Sequence, residues 1–184
     1  IGIDCDGVLR DLIPAIVDGI KTTHPQHADK ILTPTSWDWD QWLPFWTNDE
    51  TEKYVFEDNY LDFFGVECPP IKEAVEDWAI IRAWAIKNGH ELCLVSAQRP
   101  HCVEPTEAWL QRWGFVGFNE IHFEKQKWSI DVDVLIDDSP EKLDEFDKQS
   151  VNGGTAICMK QSWNQECHTK YLSIDRLSDL TTLL

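Results

Sequence analysis

The chain lacks any apolar run approaching the ~18 residues that a membrane-spanning helix needs, so no membrane span is expected. Positive charge is scarce. Lys and Arg number 16 against 33 Asp and Glu, a formal net charge of −17. A field of that sign repels polyphosphate backbones, so duplex DNA or RNA is not an expected partner. A small anionic substrate stays compatible where a metal and a few local cations offset the charge. No C-x-x-C pair joins the six cysteines Cys5, Cys68, Cys93, Cys102, Cys158 and Cys167. They read as free thiols of a reducing cytosol rather than disulfides or a zinc site, and a cytoplasmic location is expected. No basic segment followed by a long apolar stretch opens the chain, so no signal peptide is expected. No initiator Met heads it either, so a few preceding residues are expected to be missing. G-x-x-x-x-G-K-[ST] is absent, which excludes a P-loop kinase. Internal repeats and low-complexity segments are absent as well.

What is present suffices for a packed domain. The 184 residues are 42% hydrophobic, enough for one core with an inserted subdomain. Ile1 to Asp4 is a short apolar run ending in acids, the pattern of a buried strand followed by a loop. Leu12 to Ile20 has helical spacing. From His24 to Asp62 the texture changes, with Pro25, Pro34 and Pro44 and four tryptophans within ten residues (Trp37, Trp39, Trp42, Trp46). Pro69-Pro70 then punctuates the chain.

Beyond residue 70 strand and helix patterns alternate. Ile71 to Asn88 reads as a helix with Ile71, Ala74, Val75, Trp78, Ile81 and Ala85 on one face, stopped by Asn88-Gly89. Strands are predicted over Glu91 to Val95, Glu120 to Phe123, Val132 to Ile136 and Thr155 to Met159. Helices are predicted over Glu104 to Trp113, Glu141 to Lys148 and the tail Ile174 to Leu184; Ser139-Pro140 supplies the N-cap and first helical position of the second. This alternation predicts an α/β fold, a Rossmann-like parallel sheet covered by helices on both faces. A small helical cap is inserted after the first strand. Residues 1–12 and 69–184 form the core and 13–68 the cap. Most of the ten tryptophans are expected in the core.

Ligands of open α/β sheets bind at the carboxyl ends of the strands. Here those ends carry Asp4-Cys-Asp6-Gly7, Ser96-Ala97 and Asp137-Asp138, with Lys127 just before the last strand. Four carboxylates so close repel unless a cation sits among them, and hard oxygen ligands suit Mg²⁺. Gly7 gives the turn its freedom and lets backbone N–H groups approach a phosphate. Ser96 can donate to a phosphoryl oxygen, and Lys127 can neutralise its charge. Asp131 and Asp133 read as solvated or edge residues, and Arg10 and Arg99 as surface arginines by default, the alternative being cations that offset the carboxylates or touch substrate. His101 and Cys102 are given no catalytic part.

Asp4-Cys-Asp6-Gly7-Val-Leu, Leu94-Val-Ser96, Lys127 and Leu135-Ile-Asp137-Asp138 together resemble the four ordered motifs of the haloacid dehalogenase superfamily of phosphatases. Within it the chain resembles the 5′(3′)-deoxyribonucleotidases. Their opening D-x-D-G-V-L-x-D is matched from Asp4 to Asp11. Their lysine ten residues before the D-D pair selects Lys127 over Lys125, and Val55-Phe-Glu57, Phe63-Phe64 and Cys68-Pro-Pro-Ile match further segments. The resemblance covers about residues 1–148 and departs over Lys21 to Asp49.

The resemblance implies an Mg²⁺-dependent phosphomonoesterase acting on (deoxy)ribonucleoside monophosphates through an aspartyl-phosphate. Asp4 is then the nucleophile and Asp6 the general acid and base. Ser96 and Lys127 bind the transferring phosphoryl. Asp4, the Asp6 carbonyl and Asp138 hold the metal, with Asp137 a ligand or an orienting group. Leu12, Trp37 and Phe56 fall nearest the base-contacting positions, with Trp39 standing in for Trp37 under a two-residue shift. Gly7 and Ala97 complete the substrate-binding set. Another small phosphate ester, such as a sugar phosphate, and a non-catalytic binding protein on this fold remain the alternatives. A homodimer is left open.

Overall fold

Strand residues that are apolar on both sides of the backbone must be covered on both faces, and Val134-Leu-Ile and Ala156-Ile-Cys-Met are of this kind. A computed structural model describes residues 1–184. Six strands form one all-parallel sheet: β1 (Gly2–Ile3), β2 (Cys93–Ser96), β3 (Glu120–Phe123), β4 (Val134–Asp137), β5 (Thr155–Met159) and β6 (Leu172–Ile174). Their order is β3-β2-β1-β4-β5-β6. Gly2 and Ile3 pair with Cys93 and Leu94 on one side and with Leu135 and Ile136 on the other. The chain order reverses across β1, and a crevice for ligand opens at the carboxyl ends of the strands there.

Helices cover both faces. They are α1 (Leu12–Thr23), α2 (Asn48–Lys53), α3 (Tyr60–Phe64), α4 (Ala74–Asn88), α5 (Pro100–Trp113), α6 (Pro140–Gln149), α7 (Cys167–Lys170) and α8 (Leu180–Leu183). Alternate strand residues divide between two cores, as the pleat requires. Ile3, Leu94, Ile136 and Ile157 pack with Trp78 and Ile81 of α4 and Trp109 of α5. Val95, Leu135, Ala156 and Cys158 pack with Leu143 and Phe146 of α6.

Between α1 and α4 no strand forms. Instead α1 turns Leu12, Ile13, Ile16 and Ile20 toward Trp42, Leu43, Tyr54, Val55, Phe63 and Phe64, a third apolar cluster that also takes in Cys102 and Trp163. Thr47 and Glu50 form a reciprocal capping box that starts α2. All six cysteines are buried and free, and no helix is long and apolar enough to cross a membrane.

The structure departs from the sequence reading in several places. The tail does not form one helix. Leu172–Ile174 adds a parallel strand to β5, and a short turn then leads into α8. Burial of Ile174, Leu177 and Leu180 in the sheet core decides this against helical spacing. Helix α4 begins at Ala74, after Glu73 with φ +66°, and Val75 faces solvent. Helix α5 begins four residues earlier than predicted, at Pro100, and tolerates Pro105 within its first turns. Only Trp42, Trp78, Trp109 and Trp163 of the ten tryptophans are buried. The others keep one edge at the surface, as a large ring with a polar N–H commonly does. Arg10, read as a surface residue, is fully buried.

The tail is fastened by Asp77 of α4, which is buried and accepts hydrogen bonds from Arg176 Nε at 3.1 Å and from the Ser178 N–H at 3.2 Å. Burial alone would raise the Asp77 carboxyl, but these bonds outweigh it and hold it below the usual carboxylate range. Such a group stabilises the fold above its unfolded value, near pH ~4, and the contribution is lost as pH falls through the lower folded value. Arg176→Met is expected to destabilise the fold at neutral pH by leaving the buried Asp77 carboxylate without its cation, measured by urea unfolding. The difference from the unchanged chain should shrink below pH ~4.

Candidate active site

The three strand ends nearest the middle of the sheet bring their polar residues to one crevice. Asp4 follows β1, Ser96 ends β2, and Asp137 and Asp138 end β4. A short 3-10 turn, Lys127–Ser129, carries Lys127 in from below β4. Its ammonium lies 2.8 Å from Asp4 Oδ1 and donates to Asp137 Oδ2 at 2.6 Å. All four of Asp4, Lys127, Asp137 and Asp138 are buried. One carboxylate oxygen from each of Asp4, Asp137 and Asp138 lies within 4.8 Å of the other two. The convergence that the motif order predicts is therefore present in space.

The two adjacent acids differ in their surroundings. Asp137 has both oxygens engaged, Oδ2 by Lys127 and Oδ1 by the Ser139 N–H at 2.8 Å. Asp138 Oδ2 accepts from the Trp163 indole Nε1 at 2.7 Å, and Asp138 Oδ1 is buried with no partner. Asp4 Oδ1, by contrast, is ion-paired with the Lys127 ammonium.

Burial raises the Asp4 carboxyl, with Asp6 adding to the shift and Lys127 opposing it. Burial pushes Asp137 up to about 6 against the pull of Lys127. Asp138 rises well above the usual range, from burial and then from the charges of Asp137 and Asp4. Burial works against the charged Lys127 ammonium, but Asp137 and Asp4 outweigh it and keep it protonated. Buried carboxylates this strongly perturbed, gathered in one crevice, mark a functional site.

Asp6 sits at the same rim, held by Arg10 Nη1 at 3.2 Å and Gln98 Nε2 at 2.5 Å. Arg10 is buried because its guanidinium also donates to Thr106 Oγ1 and lies over the Trp109 and Phe64 rings, 4.6 and 5.4 Å from their centroids. A planar cation can stack in this way while keeping its hydrogen bonds. Arg99, half exposed, lies over the Phe56 ring and pairs with Glu52.

Leu12, Trp37 and Phe56 form apolar walls of a cleft of about 180 Å³ above these acids, and Ala97 borders it beside Ser96. Trp39 packs edge-on against Trp37, outside the cleft lining. Phe64, Gln98, Ser139 and Lys142 also line it; the sequence reading did not assign them. Gln98 lies two residues past Ser96 and Ser139 follows the acidic pair, so their neighbourhood to the motifs was the available signal. Nothing local marked Lys142, or Trp163 beneath the floor.

Gly7 makes the turn that follows Asp4, and its N–H donates to the Arg10 carbonyl at 2.9 Å. Its φ is +74°, and a Cβ there would collide with the Asp138 carboxylate. Glycine at this point lets the nucleophile loop pass against β4's end.

A Rossmann-like sheet with a carboxylate–lysine site at its switch point defines a hydrolase of the haloacid dehalogenase kind. Among solved structures, L-2-haloacid dehalogenase from Xanthobacter autotrophicus has this fold, with a TM-score of 0.62 and 11% identity over 99% of this chain and 96% of that one. A haloacid dehalogenase-like hydrolase from Streptococcus pneumoniae matches with a TM-score of 0.63 and 11% identity over 100% and 97%. At such identities the likeness shows the fold alone. A search of curated proteins found no significant match. The family model described as 5′ nucleotidase, deoxy (Pyrimidine), cytosolic type C protein matches residues 1–182. The chain belongs to that family, and with it to the nucleotidase-like phosphomonoester hydrolases.

Gly7→Ala is expected to displace the Asp138 carboxylate and lower kcat/KM for a phosphomonoester by about 100-fold, the scale of a misplacement near 1 Å. Phosphate release measures the loss, and a thermal melt shows whether the fold survives.

Proposed function

We propose that the chain dephosphorylates (deoxy)ribonucleoside monophosphates, with Mg²⁺ held at Asp4 and Asp138. The observation that carries the metal reading is the buried Asp138 Oδ1, which has no partner, in a cluster where one oxygen each of Asp4, Asp137 and Asp138 lies within 4.8 Å of the other two. Charge supports it. Asp4, Asp6, Asp137 and Asp138 face only two buried cations, Lys127 and Arg10, which leaves two negative charges for a divalent ion to balance. An all-oxygen donor set suits Mg²⁺. The Asp6 backbone carbonyl would add a third protein ligand. When bound, the ion supplies Lewis-acid stabilisation of phosphoryl charge.

The residues divide the work as follows. An Asp4 carboxylate oxygen attacks phosphorus, the P–O bond to the leaving group breaks, and Asp6 protonates the departing oxygen. Water then attacks the same phosphorus, passing a proton to Asp6 as the bond to Asp4 breaks and phosphate leaves. Splitting one displacement into two lowers each barrier. Ser96 and Lys127 hold the phosphoryl oxygens. Asp137, with both oxygens already engaged, orients Lys127 and leaves direct ligation to Asp138. Arg10 and Gln98 fix the Asp6 carboxylate.

Residues 13–68 act as the cap over the core formed by 1–12 and 69–184. An apolar cluster drawn mostly from residues 13–68, joined by Leu12, Cys102 and Trp163 of the core, supports this division. Leu12, Trp37 and Phe56 on the cleft wall give a flat base an apolar and aromatic surface. Covering the cleft also keeps bulk water from the phosphoryl-enzyme.

Asp4→Asn is expected to cut phosphate release by at least about 1,000-fold without unfolding the chain. EDTA should abolish turnover and added Mg²⁺ restore it. Trp37→Ala should raise KM for dUMP or dTMP by about tenfold, since base–aromatic stacking contributes ~1–3 kcal/mol. Turnover of a sugar phosphate with inactivity toward every nucleotide would overturn the substrate but not the chemistry.

A further inference from the structure

The loop after β5 was assigned no part by its sequence, yet it touches the site at several points. Trp163 is buried and its indole Nε1 donates to Asp138 Oδ2 at 2.7 Å. Asn164, also buried, donates through Nδ2 to the Asp138 carbonyl at 2.7 Å and to the Met159 carbonyl at 2.8 Å. Its own Oδ1 accepts from the Gln161 N–H at 2.9 Å. Gln161 Nε2 reaches the Gly7 carbonyl at 2.7 Å. One loop therefore grips both the acid at the end of β4 and the turn that follows Asp4.

The same loop meets the inserted segment. The Trp163 ring lies edge-on to Trp37, with centroids 6.3 Å apart and planes at 76°, within the range of an attractive aromatic pair. Ser162 Oγ lies 3.4 Å from the Pro34 carbonyl, a second link to that segment. Trp37 lines the cleft and Trp163 holds Asp138, so two rings in contact connect the substrate wall to the carboxylate.

We infer that Trp163 is a positioning residue: its N–H fixes Asp138 so that Oδ1 stays turned to the metal, and its ring ties that carboxylate to the cap wall at Trp37. The inference rests on the metal reading of this site. A partner that orients a ligand's second atom typically changes metal affinity 10- to 100-fold when removed. Trp163 has both properties such a partner needs, a buried donor on the ligand's other oxygen and a rigid ring braced on a neighbour. Because linkage is reciprocal, seating of substrate against Trp37 and holding of metal at Asp138 should favour each other.

The test is calorimetric titration of Mg²⁺ into the full chain without substrate. Trp163→Phe keeps an aromatic ring against Trp37 but removes the N–H; Mg²⁺ should bind about 10- to 100-fold more weakly. Thermal melts in EDTA report whether the variant is folded. Trp37→Ala leaves Trp163 and Asp138 in place, touches no proposed metal ligand, and should weaken Mg²⁺ by about 2- to 30-fold. It keeps the inference testable should Trp163→Phe not fold. Unchanged affinity in Trp163→Phe overturns the positioning role, and unchanged affinity in Trp37→Ala overturns the tie to the cap. An unchanged chain that takes no Mg²⁺ overturns the metal reading itself, and this inference with it.

Discussion

Four carboxylates converge at one crevice of this protein, three of them buried, and the rest of the site is arranged around the cost of that charge. The Lys127 ammonium answers part of it, bridging Asp4 and Asp137 at 2.8 and 2.6 Å. Arg10 answers another part from beneath, buried between Phe64 and Trp109 and bonded to Asp6. Neither cation bonds Asp138, whose carboxyl is pushed well above the usual range by burial and then by its acidic neighbours, against the pull of Trp163 and Lys127. Keeping like charges buried together is unfavourable on its own. Such a cluster of buried carboxylates could hold a metal ion.

The sheet makes the crowding possible. Strand β1 runs between β2 and β4, and Ile3 pairs with Leu94 and with Ile136. Residues just past these pairs therefore emerge side by side, although they are far apart in the chain. The two cores on either face hold the strands in register, since a one-residue slip would turn Leu135 and Ile136 to the wrong layers. Rigid elements of this kind set carboxylate positions more narrowly than loops do. The inserted segment is built differently, from an aromatic cluster that α1 shares with Trp42, Tyr54, Phe63 and Phe64. It meets the core through Trp163 and Cys102 and through the packing of α3 on α5.

Much of this was legible in the sequence because local signals and global fold agree. Apolar runs ending in acids identify β1 and β4 and, with them, Asp4, Asp137 and Asp138. Helical spacing identifies α1 and α4 to within a turn. The sixth strand was not legible, because Leu172-Ser-Ile is too short to show a period and becomes a strand only by pairing with β5. The burial of Arg10 was not legible either, since an arginine is solvated unless aromatic rings and acceptors happen to surround it. Trp163 lies 25 residues beyond Asp138, and no spacing rule connects them.

The sequence by itself determined the parallel α/β class, the acids at the strand ends and the lysine that faces them, because strand and helix periods and motif order are properties of neighbouring residues. Only the tertiary structure decided how those groups divide their partners. Asp137 has both oxygens occupied while Asp138 keeps one free, Gly7 gives its N–H to Arg10, and a distant indole holds Asp138 in place. Each of these depends on which atoms meet across the fold. Hydrogen-bond geometry, short-ranged and directional, is settled only when distant segments pack.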